Sequence, residues 1–153
     1  MVSNHNYIAI EGHATSNEEA IRLCAAALYE AGYVEEGFSE DCIEREKEYP
    51  TGLCCTCIPV AIPHCQSKTI KKDGICYLRL KEPVVFGRMD DDEEVVKTKS
   101  IFNIAIKNAD DHLDFLKQMM SIITDEELVQ RLESVDIEEV PEVLEYSFKQ
   151  KRQ

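Results

Sequence analysis

The amino-acid sequence predicts an α/β (α+β) protein: a mixed β-sheet with helices on both faces. Three observations predict it. Short apolar runs at residues 7–10, 75–80 and 101–106 have the length and composition of interior strands. Two longer segments, 20–31 and 113–123, repeat apolar residues at helical spacing. The two kinds of segment alternate loosely instead of in strict strand–helix–strand order, so a wholly parallel sheet is not expected. At 153 residues the chain is large enough to bury a core, and no Gly-, Ser- or Pro-rich tract divides it, so residues 1–153 are expected to form one domain.

In chain order, Tyr7-Ile8-Ala9-Ile10 forms a first strand that Gly12 ends. Ser16 and Glu19 have capping-box spacing, and Ala20, Leu23, Cys24, Ala27, Leu28 and Ala31 follow at helical period, with Gly32 at the C′ position. Ser39 is the N-cap expected for a second, shorter helix that carries Arg45 and stops before Pro50. Residues 53–58 are apolar and cysteine-rich, most simply a buried strand. Residues 65–72 form a loop or turn, 75–80 a strand, and 84–86 a strand resumed after the interruption at Pro83. After the strand at 101–106, Asn108 to Asp111 supply capping groups for a helix with apolar positions Leu113, Leu116, Met119, Met120 and Ile123. Residues 124–127 cap another helix through Leu128 and Leu132, and a last helix runs over about residues 138–149 with Pro141 in its first turn.

Composition narrows function. A formal net charge of −13 argues against a nucleic-acid or anionic-membrane surface, because binding a phosphate backbone relies on Lys and Arg. No apolar run approaches the ~20 residues of a membrane helix, and the polar start at 1–7 does not read as a signal peptide, so a cytoplasmic protein without direct membrane insertion is expected. Seven cysteines in such a chain are expected to be reduced thiols, with Cys24, Cys42 and Cys76 as small buried hydrophobes. The acidic block Asp90 to Glu94 reads as a solvated loop.

The chemistry concentrates between Glu44 and Cys65. Pro63 fixes its own φ and biases Ile62 to extended backbone, so the run Val60-Ala61-Ile62-Pro63 should present His64 at the mouth of a strand. Spacing leaves two readings of Arg45: an ion-pair network with Glu44, Glu46 and Glu48, or a planar fork of donors aimed past Thr51-Gly52 at His64. His112 in a first helical turn is either a solvated residue or a neutral imidazole where helix N–H groups favour an anion. Cys54 and Cys57 form a C-x-x-C, but as part of a strand they would point to opposite faces.

Arg45-Glu46, Pro50-Thr51-Gly52-Leu53 and Val60-Ala61-Ile62-Pro63-His64 together resemble the phosphorylation-site signature of the fructose/mannitol-type (type-2) enzyme IIA proteins of the bacterial sugar phosphotransferase system. The resemblance covers nearly the whole chain and implies a three-layer α/β/α sandwich. It implies that His64 accepts phosphate from the phosphocarrier HPr and hands it to a cysteine of enzyme IIB. Arg45 and His112 would then stabilise the phosphoryl group, amides near Thr51-Gly52 would assist, and no cofactor or metal would be needed. Cys65 after the histidine and the segment Phe86-Gly87-Arg88-Met89-Asp90-Asp91-Asp92 resemble the galactitol-specific branch, whereas His112-Leu113 resembles the fructose/mannitol enzymes. Two other readings stand beside this one: a regulatory module of the same fold, read by a partner in its phosphorylated state, and a metal-binding or redox protein using Cys54, Cys57 and Cys65.

Overall fold

The computed structural model describes residues 2–4 and 6–151 of the chain. A six-stranded sheet runs through its middle, formed by β1 (Val2–Asn4), β2 (Tyr7–Gly12), β3 (Gly52–Leu53), β4 (Val60–Ala61), β5 (Gly74–Gly87) and β6 (Val95–Ala105), in the spatial order β1-β2-β5-β6-β4-β3. The sheet is mixed: β2 with β5 and β4 with β6 are parallel, and the other three neighbours are antiparallel. Both parallel pairs join strands that are far apart in sequence, which is why the chain does not read as a simple series of hairpins.

Alternation along the two long strands divides the apolar side chains between two cores. Cys76, Leu78, Ile101 and Ala105 face one layer, which holds α1 (Asn17–Glu30) and α2 (Phe38–Glu48) through Leu28, Phe38 and Cys42. Ile75, Tyr77, Phe102 and Ile104 face the other. There α3 (Ala109–Ile123), α4 (Glu126–Ser134) and α5 (Val140–Lys151) cover the sheet through Met119, Ile122, Leu132, Leu144 and Phe148, with a 3₁₀ turn at Ile137–Glu139 leading into α5. This is the three-layer α/β/α sandwich with a mixed sheet.

Ser16 caps α1 by accepting the Glu19 N–H, but the Glu19 carboxylate reaches one residue further back than a capping box requires, to the Thr15 N–H and hydroxyl. The predicted N-cap Ser39 lies inside α2. The cap is Gly37, whose φ of 98° is open to glycine at little cost, and which supplies no side-chain bond.

Three strand expectations are corrected. The polar N-terminal segment contributes β1, because an edge strand needs backbone pairing more than apolar side chains. Pro83 does not divide a strand: β5 is continuous through it, and the register with β6 slips between Arg79 and Val84, leaving a bulge where proline's missing donor is not called on. Residues 54–58 are not a buried strand either. The chain leaves the sheet after Leu53, and Cys54, Cys55 and Cys57 are exposed.

Candidate active site

His64 is mounted by its neighbours along β4. Val60 and Ala61 pair in parallel with Ser100 and Ile101, and a further bridge joins His64 to Ile104. Pro63 cannot donate, but its carbonyl accepts two bonds, from the Ile104 N–H at 3.0 Å and the Asn103 side-chain amide at 3.0 Å. The Ile62 N–H is donated to the Thr51 carbonyl and the Thr98 hydroxyl to the Pro59 carbonyl, so the segment is tied at every step.

The ring itself lies 2.6 Å from the Ile62 carbonyl through Nδ1. A carbonyl only accepts, so Nδ1 carries the proton and Nε2 of the neutral ring holds a lone pair. Among the described residues the buried side-chain nitrogens and oxygens without a partner are Asn103 Oδ1 and His112 Nδ1. The unbonded Nε2 of His64 is not among them and keeps its access to solvent. Burial, then the charge of Arg45 and the nearby His112, hold the His64 pKa down at about 4, against the opposing pull of the carbonyl bond. At neutral pH the imidazole is therefore uncharged and its free nitrogen is nucleophilic.

Arg45 and His112 arrive at this histidine from opposite layers of the sandwich. Arg45 is in the last turn of α2, with its guanidinium 5.3 Å from the centre of the Tyr49 ring. The ion-pair reading of Arg45 fails: among the described residues no carboxylate lies within salt-bridge distance of it, while Glu44 pairs with Lys47 and Glu46 turns inward. His112 stands in the first turn of α3, its ring centre 5.1 Å from that of His64 and tilted by 46°. Burial and the charge of Arg45 lower its pKa as well. The three side chains line one cleft of about 770 Å³, together with Lys68, Asp41 and Leu116. A neutral imidazole lone pair beside an unpaired guanidinium and a second neutral imidazole suits transient attachment of an anionic, electrophilic group such as a phosphoryl.

Of the amides near Thr51-Gly52 expected to help, that of Thr51 is already committed. The Thr51 N–H and hydroxyl are both donated to the buried Glu46 carboxylate, at 2.8 and 2.7 Å. Burial raises the Glu46 pKa to about 7 in spite of those bonds. Gly52 has a packing role: a Cβ there would stand 2.6 Å from the Gly87 carbonyl oxygen and 2.7 Å from a Val96 methyl.

Glu46 and Asn103 escaped the sequence reading, though each left a signal. Glu46 is one helical turn from Cys42 and so on the inward face of α2, and Asn103 is a lone polar residue within an apolar interior strand. Among the described residues no group of three or more His, Cys, Asp or Glu side chains is placed to hold a metal ion, and Cys54 and Cys57 sit on an exposed loop. No helix among the described residues is long and apolar enough to cross a membrane.

Known proteins resemble this chain in sequence and in fold. The family model described as "Phosphoenolpyruvate-dependent sugar phosphotransferase system, EIIA 2" matches residues 1–147. The mannitol-specific phosphotransferase enzyme IIA component of Enterococcus faecalis is 34% identical over 149 residues, covering 94% of this chain and 98% of that protein. The mannitol-specific EIICBA component of Escherichia coli (strain K12) is 30% identical over 135 residues, 86% of this chain, which spans only 20% of that longer protein. The galactitol-specific EIIA component of the same strain is 29% identical over 101 residues, 66% of this chain and 67% of that one, a lower identity over a shorter stretch than the mannitol component. Among solved structures, the complex of enzyme IIAMTL and phosphorylated enzyme IIBMTL from Escherichia coli superposes with a TM-score of 0.74 at 27% identity, covering 95% of this chain and 98% of that one. With its fold, its histidine-centred cleft and a family match over nearly its whole length, the chain belongs to the type-2 EIIA family of the phosphoenolpyruvate-dependent sugar phosphotransferase system, a family of phosphotransferases.

Proposed function

We propose that residues 1–153 act as one EIIA unit in the cytoplasm, taking a phosphoryl group from phospho-HPr onto Nε2 of His64 and passing it to a cysteine of an enzyme IIB for uptake of a sugar alcohol. The observation that carries this reading is the bond from Nδ1–H of His64 to the Ile62 carbonyl, which leaves Nε2 as the free lone pair in a cleft shared with Arg45 and His112. In the acceptance step that lone pair forms the N–P bond as the bond to the donor breaks. Charge spreads over three equatorial oxygens, which the Arg45 fork is suited to meet. His112 donates best from Nε2–H, since a proton there leaves its enclosed Nδ1 as a lone pair instead of an unpaired donor. Stabilisation by one cation and one neutral donor is enough to assist transfer without trapping the phosphorylated product.

Sugar alcohol as substrate class rests on the names of the mannitol- and galactitol-specific relatives. Identity and coverage favour the mannitol side, and His112 agrees with it; Cys65 and residues 86–92 favour galactitol.

Incubation with enzyme I, HPr and phosphoenolpyruvate should give an acid-labile adduct that peptide mapping places on His64. An adduct on His13 or His112, or none, contradicts the assignment. Mannitol- and galactitol-type IIB proteins added afterwards read the substrate branch by which of them removes the phosphate.

A further inference from the structure

Two thiols beside the site take no part in the chemistry above. Cys42 is on α2, three residues before Arg45, and Cys65 directly follows His64. Their sulfurs are 3.3 Å apart, close enough for one S–H to donate to the other, and the Asn103 amide nitrogen that holds the Pro63 carbonyl is 3.7 Å from the Cys42 sulfur. Both residues are buried, Cys42 completely and Cys65 with 3% of its surface exposed, and Cys65 is the one that borders the cleft. In the reduced protein the two thiols pack well as small buried hydrophobes. The pair also joins the helix carrying Arg45 to the residue after His64.

We propose that Cys42 and Cys65 are an oxidative modification site for peroxides, and that the disulfide they form disarms His64. The functional half rests on His64 being the phosphoryl acceptor. In the first step the Cys65 sulfur attacks one peroxide oxygen: the S–O bond forms, the O–O bond breaks, and the leaving hydroxide takes up the thiol proton as water. In the second the Cys42 sulfur attacks the Cys65 sulfur: the S–S bond forms, the S–O bond breaks, and the departing hydroxide leaves as water with the Cys42 proton. Two thiols are oxidised by two electrons, and one hydrogen peroxide becomes two waters. Cys65 is assigned the first step because, of the two buried residues, it is the one that borders the cleft. The neighbouring Cys65 and burial hold the Cys42 thiol pKa up and make it the poorer nucleophile of the two, so it attacks second, across the 3.3 Å gap, and gives its proton to the departing hydroxide.

A disulfide requires an S–S distance of about 2.05 Å, so closing the 3.3 Å gap moves the two segments together by roughly 1 Å. The movement falls on α2 and on the mount of His64, where a displacement of that size can slow transfer by as much as about 10²-fold.

The test uses the full chain with Cys54→Ser, Cys55→Ser and Cys57→Ser, which removes the exposed thiols. The protein is treated with hydrogen peroxide, its peptides are mapped, and phosphate acceptance from phospho-HPr is measured before treatment, after it, and after dithiothreitol. The expected result is a Cys42–Cys65 linked peptide, a fall in rate of about tenfold or more, and recovery on reduction. Adding Cys42→Ser, or Cys42→Ala where a buried hydroxyl disturbs folding, should abolish the linked peptide and let Cys65 proceed to sulfinic acid, so that the loss no longer recovers. Both thiols remaining free, or a linked peptide with an unchanged rate, overturns the proposal. An untreated protein that accepts no phosphate instead sinks the role of His64, and the thiol map still reads the pair on its own.

Discussion

Residues 53–58 and 60–65 are neighbours in sequence, comparably apolar, and both contain cysteine, yet only the second carries an ordered site. From Val60 onward each residue is tied to a distant element: to β6 by backbone pairing, to Thr51 through Ile62, and to Asn103 through Pro63. Residues 54–58 hold mainly to one another, through Thr56 with Cys54 and Ile58, and reach outside the loop from Cys57 to Glu126, through its N–H and its thiol. Local apolarity was the same signal in both. What makes one segment a stiff mount and the other an exposed loop is the supply of long-range partners for its backbone.

The sharpest break between the two segments is expected from substitution. His64→Gln should abolish acceptance of phosphate from phospho-HPr, while the triple change Cys54→Ser, Cys55→Ser, Cys57→Ser leaves the rate within about twofold; equal losses in a radiolabel transfer assay would erase the distinction. Arg45→Ala should slow acceptance by roughly 10²-fold, the usual effect of deleting a donor to developing charge. Arg45→Lys should recover only part of it, since an ammonium lacks the planar fork.

A smaller effect tests the packing that holds the mount in place. Gly52→Ala should destabilise the fold by roughly 1–3 kcal/mol in urea titration, because its Cβ would meet the Gly87 backbone oxygen and Val96. A serine at Cys55, on the loop, should stay within about 0.5 kcal/mol of the parent.

The smallest effect is a pair of opposed pH dependences. His64 is held at about 4 in the fold and titrates near 6.5 when unfolded, so between those values the unfolded chain binds the extra proton and stability falls on acidification. Glu46 is raised to about 7 from 4.5, so between those values the folded chain binds the extra proton and stability rises on acidification. In the shared window, about pH 4.5 to 6.5, the two contributions offset. Glu46→Gln should expose the first, a loss of at most about 1.4 kcal/mol per pH unit as pH falls, and His64→Gln the second with opposite sign. Parallel stability–pH curves for the two variants would remove the burial argument for both groups.

Much of this was legible because it is local. Ser16 and Gly32 bound α1, and the spacing of Leu116, Met119 and Ile123 marks α3. The Ile62-Pro63-His64 order fixes an extended mount whatever surrounds it. What could not be read depends on contacts between distant residues. β1 is polar and exists only by pairing with β2, Pro83 is tolerated because the ladder slips around it, and Thr51 has its amide claimed by Glu46. The approach of Arg45 and His112 to His64 from opposite layers is of the same kind: family resemblance supplied it, and spacing alone did not.

The account depends most on the state of one imidazole, which nitrogen-15 correlation spectra of the histidine rings read directly as pH is lowered from 7.5 to 4.5. The prediction is a neutral His64 ring with its proton on Nδ1 throughout most of that range, beginning to charge only near the bottom. A ring protonated on Nε2 at neutral pH, or one that charges near its ordinary value of 6.5, would contradict it.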